Sequence, residues 1–365
     1  MNYSLYNPPI SPFRKGGQRG ILVPDILTPR ERFGLLVIDE KPDRCNVIPL
    51  ITSHAAFVAG MKLKKYYTDG EAMAKAQINA LEEYGHDAIS IFSEVGIIAE
   101  AMGSEFIYPE DDLPVLKVPA LTKFDVDKLK IPAPKNAGRL PVYLEAIEYA
   151  YKSLGDRIPI LAYVPAPFTT GMMLSEPAQF LIETIRRPSH IKAIMEISMR
   201  AAIEFCYEII DAGALPMIVD PLASSSVISP KIYQEFALPY EKALIKFLHR
   251  YDLDVVLHIC GDTKPILHLL PDTGADLISF DRVDLNLILE KLSKKMRMIG
   301  NFDTSKIAFA SPKEIAVGVK KMVEKGITSQ KGYIASTGCE VPIRTPKENV
   351  KAFINTAKEV GWFWE

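Results

Sequence analysis

The stretch Val255-Val256-Leu257-His258-Ile259-Cys260-Gly261-Asp262-Thr263 is an apolar run that ends in two soft metal ligands and a turn. Alternate residues of a strand point the same way, so His258 and Cys260 are expected on one side. A further cysteine lies far downstream, at Cys339. Two thiolates and one neutral imidazole cancel the charge of Zn²⁺, a donor set that favours binding of an incoming thiol as thiolate. The alternative, that the cysteines are ordinary buried apolar residues, stays open here.

The rest of the chain alternates short β-branched apolar runs with long amphipathic stretches, which is typical of βα units. Eight such runs lie near 45–50, 87–92, 158–164, 215–220, 254–260, 276–280, 298–302 and 332–336. Helical periodicity is found over 69–84, 190–212, 230–251, 312–325 and 346–360. This count predicts an α/β fold of the (β/α)₈ TIM-barrel type. A doubly wound sheet is the alternative, but residues 49–62 lack the Gly-rich phosphate turn that it needs.

Two segments depart from the alternation. Residues 1–26 carry prolines, glycines and a short basic patch without helical or strand periodicity, and we expect a poorly structured tail. Residues 102–134 are acidic and rich in proline, which predicts a short insertion after the second strand, in the form of a small ribbon. The remaining chain, 27–365, is predicted to form a single barrel domain that carries the catalytic site.

Composition limits the classes of partner. The 43 Lys and Arg residues nearly balance the 45 Asp and Glu residues, and no basic stripe is present, so a nucleic-acid partner is not expected. A run of 18 or more apolar residues is also absent, so we expect no membrane span. Four scattered cysteines do not form a disulfide framework and suit a reducing cytoplasm.

In a barrel the reactive residues lie where strands give way to the following loops. His258 and Cys260 end the fifth run and Cys339 follows the eighth, so all three are expected at one rim, where they would bind zinc. The fourth ligand is left open between Asp220, Glu94 and Glu340, each of which could instead accept the thiol proton or orient a ligand. We favour Asp220, because the end of a barrel strand is expected to direct it into the mouth, and we name Asp220 and Glu94 as the candidate catalytic residues.

Several motifs resemble those of the uroporphyrinogen decarboxylase superfamily and, within it, the methylcobamide:coenzyme M methyltransferases. The most specific are Leu257-His-Ile-Cys-Gly-Asp-Thr263 and Ser336-Thr-Gly-Cys-Glu-Val-Pro342, supported by Asp220-Pro-Leu-Ala-Ser-Ser, Phe236-Ala-Leu-Pro-Tyr240 and Gly300-Asn-Phe-Asp-Thr304. The resemblance implies a TIM-type barrel with one zinc per chain, ligated by His258, Cys260 and Cys339. It also implies a methyltransferase of the EC 2.1.1 type. Its methyl group would come from methyl-Co(III) on a small corrinoid-binding partner protein and pass to a small thiol such as coenzyme M.

Other functions remain in view. A true decarboxylase of the superfamily would place an Arg-containing Gln-Ala-Gly-Arg segment after the first strand to hold substrate carboxylates, but here Ile51-Thr-Ser-His-Ala-Ala-Phe57 stands there. Relatives that demethylate other donors, without zinc, are a second alternative. A non-catalytic scaffold for a corrinoid protein, with a closed structural zinc site, is a third.

The acceptor thiol is not identified by the sequence. No clamp for a sulfonate is recognisable, and Arg344 is as well explained by an exposed loop position as by contact with an anion. The sequence also identifies neither the original methyl donor nor the oligomeric state.

Overall fold

A computed structural model describes residues 25–121 and 125–363, and it contains eight parallel strands with helices around them. The strands in chain order are β1 (Asn46–Val47), β2 (Ile89–Ile91), β3 (Glu105–Ile107), β4 (Val115–Val118), β5 (Ile160–Pro165), β6 (Leu215–Val219), β7 (Val256–Ile259), β8 (Leu277–Phe280), β9 (Arg297–Phe302) and β10 (Tyr333–Thr337). All except β3 and β4 form one sheet in the order β1-β10-β9-β8-β7-β6-β5-β2. Each of the eight predicted runs contains one of these strands, so the predicted barrel fold is confirmed.

The two ends of this sheet meet at a short seam. β1 pairs with β10 in register Asn46↔Ile334, and β2 pairs with β5. Across the seam, the backbone N–H of Asp87, just before β2, donates to the carbonyl of Val47 at 2.9 Å. The sheet therefore curls until its first two strands approach each other, and the bond between them lies at the amino end of β2.

Helices cover the outside of the sheet. They are α1 (Pro29–Val37), α2 (His54–Val58), α3 (Leu63–Thr68), α4 (Gly70–Tyr84), α5 (Ile97–Ala101), α6 (Leu140–Leu154), α7 (Pro167–Met173), α8 (Pro177–Arg186), α9 (Pro188–Asp211), α10 (Pro230–Ile232), α11 (Leu238–Leu248), α12 (Leu285–Leu292), α13 (Thr304–Phe309), α14 (Pro312–Gly326) and α15 (Lys347–Val360). A π-helical turn, Tyr233–Ala237, joins α10 to α11. The five predicted helical stretches are all present. None of the described helices is long and apolar enough to cross a membrane.

Side chains inside the barrel form their own apolar cluster. Ile48, Leu161, Met217, Val256 and Ile299 belong to it and are buried; Ile48 directly follows β1, and the other four each lie in a different strand. A larger cluster lies between the strands and the helices. Because strand residues alternate between these two sides, His258, two positions after Val256, points into the barrel with the inner cluster.

The predicted insertion forms an antiparallel ribbon of β3 and β4, with Ile107 opposite Val115. Near its tip, the carbonyl of Glu110 accepts from the backbone N–H of Lys64 at 3.2 Å. Its base contacts the segment after β5, where the N–H of Leu121 donates to the carbonyl of Leu174 at 2.8 Å. The ribbon is therefore part of the rim that surrounds the mouth.

The opposite end of the barrel is held by buried ion pairs. Arg32 contacts Asp43 at 2.7 Å and Asp87 at 3.0 Å, and Arg44 contacts Asp87 at 2.6 Å and Asp25 at 2.7 Å. Of the predicted tail, residues 1–24 lie outside the described residues, whereas Asp25 takes part in these pairs. The guanidinium groups favour the ionised carboxylates, so the pKa of Asp43 is lowered although burial alone would raise it.

Candidate metal centre

The structure brings together the three soft donors that the sequence singled out. His258 lies in β7, Cys260 follows the last residue of that strand, and Cys339 follows β10. One ligand atom from each of these residues lies within 4.8 Å of the other two. Donor atoms this close, drawn from two separate strand ends, could bind a single metal ion in a four-coordinate site with one open position.

The imidazole of His258 is oriented by a serine on the neighbouring strand. Nδ1 of His258 lies 2.9 Å from Oγ of Ser279 in β8, and the ring is 6 % exposed. When Nδ1 is protonated and donates a hydrogen bond to Oγ of Ser279, Nε2 keeps its lone pair and can bind a metal ion. The contact with the hydroxyl is therefore compatible with the tautomer that a metal at Nε2 requires.

The pKa of each cysteine thiol at this site depends on the other thiol. A hydrogen bond from the Cys339 thiol lowers the pKa of Cys260, against the effect of burial. The same hydrogen bond, together with burial, raises the pKa of Cys339. The protein alone thus favours ionisation of Cys260, whereas ionisation of Cys339 would need a nearby cation.

The turn after Cys260 is packed too tightly for a side chain. Gly261 adopts φ +74°, and a Cβ there would lie 2.7 Å from the hydroxyl oxygens of both Ser224 and Ser226. These serines follow β6, and Ser226 accepts the backbone N–H of Asp262 at 2.9 Å. Glycine therefore allows the loop after β6 to support the ligand-bearing turn.

Asp281, at the end of β8, contacts both cysteine turns and was not recognised in the sequence. Its Oδ2 accepts the N–H of Gly261 at 3.0 Å, and a Cβ on Gly338 would lie 2.6 Å from its Oδ1. The only signal for it is an aspartate directly after the sixth apolar run, ending at Phe280. The same strand-end argument that selected Asp220 applies to it equally.

Asp220, the favoured candidate for a fourth ligand, lies outside the group of three donor atoms. It is fully buried, and its Oδ1 accepts from the backbone N–H and the hydroxyl of Thr169 in α7, at 3.0 and 2.6 Å. Its carboxyl group also shares a hydrogen bond with Glu241 in α11, and burial raises the pKa of both groups. Asp220 thus contacts α7 and α11 rather than the three donor atoms, and its catalytic role stays a prediction. Met217 and Val219 of β6 belong to the inner cluster, so the next residue faces the helices.

Glu94 does reach the rim, but as part of an ion pair. Its Oε1 lies 2.6 Å from Arg139, and its other oxygen accepts from the hydroxyl of Ser93. Arg139 also contacts Glu100 at 3.0 Å. Glu94 is thus held by neighbours outside the group of donor atoms, and its catalytic role stays a prediction.

Glu340 directly follows Cys339 at the mouth of the barrel. Its Oε2 accepts from the hydroxyl of Thr52, on the segment after β1. Burial raises the pKa of Glu340, opposed by Thr52 and by the charge of His258. Burial also raises the pKa of Tyr163 in β5, and the charges of Glu340 and Cys339 add to this effect. Glu340 therefore lies beside Cys339 and is held by the segment that follows the neighbouring strand β1.

Comparison with known proteins gives a consistent result. The family model of uroporphyrinogen decarboxylase (URO-D) matches residues 28–360. A methylcobamide:CoM methyltransferase of Methanosarcina acetivorans is 26 % identical over 341 residues, covering 91 % of this chain and 98 % of that protein. A uroporphyrinogen decarboxylase of Anaeromyxobacter dehalogenans is 25 % identical over 304 residues, covering 80 % and 86 %.

A solved structure agrees with the sequence comparisons. A methyltransferase from Methanosarcina mazei superimposes with a TM-score of 0.83 at 26 % identity, covering 91 % of this chain and 99 % of that one. The architecture around the three donor atoms is therefore shared with a methyltransferase over nearly the whole chain.

Proposed function

The chain belongs to the uroporphyrinogen decarboxylase family, as its motifs predicted, and within that family we propose that it is a zinc-dependent methyltransferase. The proposed reaction moves a methyl group from a methylated corrinoid, carried by a small partner protein, to a small thiol such as coenzyme M. The observation that carries the proposal is the convergence of His258, Cys260 and Cys339 at the rim of a barrel. The names of the similar proteins support an enzyme of this type.

The three donors would hold one zinc ion per chain, with His258 binding through Nε2. Zinc supplies a site that lowers the pKa of an acceptor thiol and, with two thiolate ligands, leaves the sulfur nucleophilic. Ser279 orients the imidazole through Nδ1, and Asp281 and Ser226 hold the turn of Cys260. Glu340 is the carboxylate nearest in sequence to a ligand and could accept the thiol proton.

The rim also suits a substrate that is delivered by another protein. Displacement at a methyl carbon requires the attacking sulfur, the carbon and the leaving cobalt to lie nearly in line. A corrinoid bound to a protein must therefore approach along the barrel axis, over the loops that surround the mouth. Two thiolate ligands also suit a reducing compartment such as the cytoplasm.

Uroporphyrinogen decarboxylation is the second function that the family allows. A substrate with many carboxylates needs fixed cations. The segment after β1, Ile51–Phe57, contains no arginine, and Arg139 is already paired with Glu94 and Glu100. Decarboxylation also gives the two thiols no role, so the donor set favours methyl transfer.

The test combines metal content with activity. Anaerobically purified protein should contain about one zinc per chain and, with coenzyme M or another small thiol, should convert free methylcob(III)alamin to cob(I)alamin. Cys339→Ala should lose both zinc and activity. Cys206→Ala is the matched control, because Cys206 is buried in α9 with no metal-binding neighbours among the described residues.

Other results would point to the alternatives. Stoichiometric zinc that is insensitive to added thiols, with no demethylation, would indicate a structural metal site. Active protein without zinc would instead indicate a demethylase with a different donor or acceptor.

A further inference from the structure

A groove lies on the outside of the barrel between α12, α13 and α14, and we infer that two copies of this chain associate through it. The groove has a volume of about 780 Å³ and is lined by fifteen residues. This is more than half of the roughly 20–30 residues that each partner contributes to a stable dimer. None of the three metal-donor residues lines the groove, so the inference is independent of the proposed reaction.

The floor of the groove is apolar. Ile315 and Met322 are buried side chains of α14, and Phe302 is the last residue of β9. Glycine at position 318 lets α14 lie directly on Phe302, because a Cβ there would be 2.9 Å from its ring. Val317, which also lines the groove, is 52 % exposed. An apolar surface that is open to water in this way is stabilised when another apolar group covers it.

Phe309, at the end of α13, is a group that could cover it. The residue is 89 % exposed, more than any other large apolar residue in the described part of the chain. It follows Lys306, which lines the groove, by three positions, and the next residue, Ala310, lines the groove as well. Residues three apart in a helix are neighbours on its surface, so the exposed ring and the groove belong to one face of the molecule.

An exposed ring beside an apolar groove is the arrangement that a two-fold dimer requires. Such a dimer brings the same patch of both copies together, so each feature of the patch must fit a feature of the same patch. After a half-turn, Phe309 of each copy can enter the groove of the other, and both rings are buried. A different protein would have to supply both a groove and a protruding group, whereas a second copy has both.

The charges around the groove balance, which also fits a second copy. Three lysines and three carboxylates line it, so two such faces do not repel each other. The lysines are Lys306, Lys321 and Lys325. None of their ammonium groups forms an ion pair or a hydrogen bond with another described residue. All three are therefore available to carboxylates of a second copy.

The three carboxylates belong to Asp284, Asp303 and Glu314. Each accepts a backbone N–H at the start of a helix, in α12, α13 and α14 respectively. Hydrogen bonds from Asn286 lower the pKa of Asp284, and those from Ser311 lower the pKa of Glu314. These carboxylates are therefore charged and fixed in position, and ammonium groups of the other copy can pair with them across the two-fold axis.

The inference is tested by sedimentation velocity on the full chain over about 1–100 µM. The wild type should sediment with the mass of two chains at the upper end of this range. Phe309→Ser should fold, because the ring is exposed. It should raise the dissociation constant of the dimer by about a hundredfold, because the dimer loses two contacts that each contribute about tenfold. Ile185→Ser in α8 is the matched control, since Ile185 is 80 % exposed and lies outside the groove, and it should dimerise like the wild type.

A charge reversal tests the contribution of the lysines. Lys321→Glu makes both faces negative, so the dimer should weaken most at low salt and recover as the salt concentration rises. Lys242→Glu, on the exposed surface of α11, is the control and should dimerise like the wild type.

Two results would overturn the inference. A chain that stays monomeric over the whole concentration range would leave the groove to a different protein. A dimer that persists unchanged in both Phe309→Ser and Lys321→Glu would show that the two copies associate through another surface.

Discussion

The backbone N–H of Gly261 donates to Oδ2 of Asp281 at 3.0 Å, so the turn that carries Cys260 is tied to the end of the neighbouring strand. A Cβ on Gly338 would lie 3.1 Å from the Cα of the same aspartate. Asp281 thus lies against both cysteine turns and sets their separation. Groups that orient metal ligands in this way commonly affect the affinity for the metal as well as the position of the ligands.

Replacing Asp281 with alanine should weaken zinc binding by about tenfold to a hundredfold, because both cysteine turns lose their common support. Affinity is measured by competition with a chromogenic chelator. Asp112→Asn, in the exposed tip of the ribbon, serves as control and should bind zinc normally. An unchanged zinc affinity in Asp281→Ala would refute this role.

The hydroxyl of Ser279 should matter for the metal and not for packing. Ser279→Ala removes the partner of His258 Nδ1, and zinc affinity should fall by about tenfold. Ser336→Ala is a close control, because Ser336 is buried in β10 and its hydroxyl has no hydrogen-bond partner. Equal affinities for the two variants would mean that the serine does not orient the imidazole.

Asp87 should be a major determinant of stability. Asp87→Asn leaves Arg32 and Arg44 partly unpaired in the interior, and we expect a loss of about 3–5 kcal/mol in the free energy of unfolding. The loss is read from urea denaturation at pH 7. Glu71→Gln breaks an exposed pair with Lys75 in α4 and should leave the free energy of unfolding nearly unchanged.

The buried pair Asp220–Glu241 should make stability depend on pH. Burial raises the pKa of both groups, that of Asp220 to about 6, so the folded state holds a proton that the unfolded state releases. The stabilisation from this pair is present below the ordinary carboxyl pKa near 4 and is lost as the pH rises through the raised value.

The variant Glu241→Gln isolates this effect. Its amide can donate to Asp220 at every pH and still accept the hydroxyl of Tyr233, which lies 2.6 Å from Glu241. Compared with the wild type, it should lose less stability between pH 5 and pH 8 in urea denaturation. A parallel decline in both proteins would rule out the shared proton.

The barrel was predictable because its signals are local. Apolar runs and helical periodicity report directly on burial and on backbone geometry, so the eight barrel strands and five helical stretches could be located within a few residues. The long helix α6 was not among the stretches predicted. The grouping of His258, Cys260 and Cys339 could also be predicted, because a known topology assigns them to one rim, and their role as metal ligands stays a prediction. The ribbon followed from acidic and proline-rich composition at 102–134.

The surroundings of the site could not be predicted in the same way. Whether a strand-end carboxylate faces the mouth or the helices depends on one residue of register, and Asp220 and Asp281 differ in this respect. The pairing of Glu94 with Arg139 depends on α6 packing near the rim, a contact between segments far apart in the sequence. Such contacts leave no pattern in a single sequence.

The seam between β1 and β2 has a consequence for the motions of the molecule. β1 has only two residues, and across the seam the described backbone contributes the bond from Asp87 to Val47. A barrel closed by so few backbone bonds opens there first when it fluctuates. The amide of Asp87, which donates this bond, is thus expected to exchange with deuterium faster than those of β7 and β8, and the strands that carry His258 and Ser279 can stay folded while the seam opens.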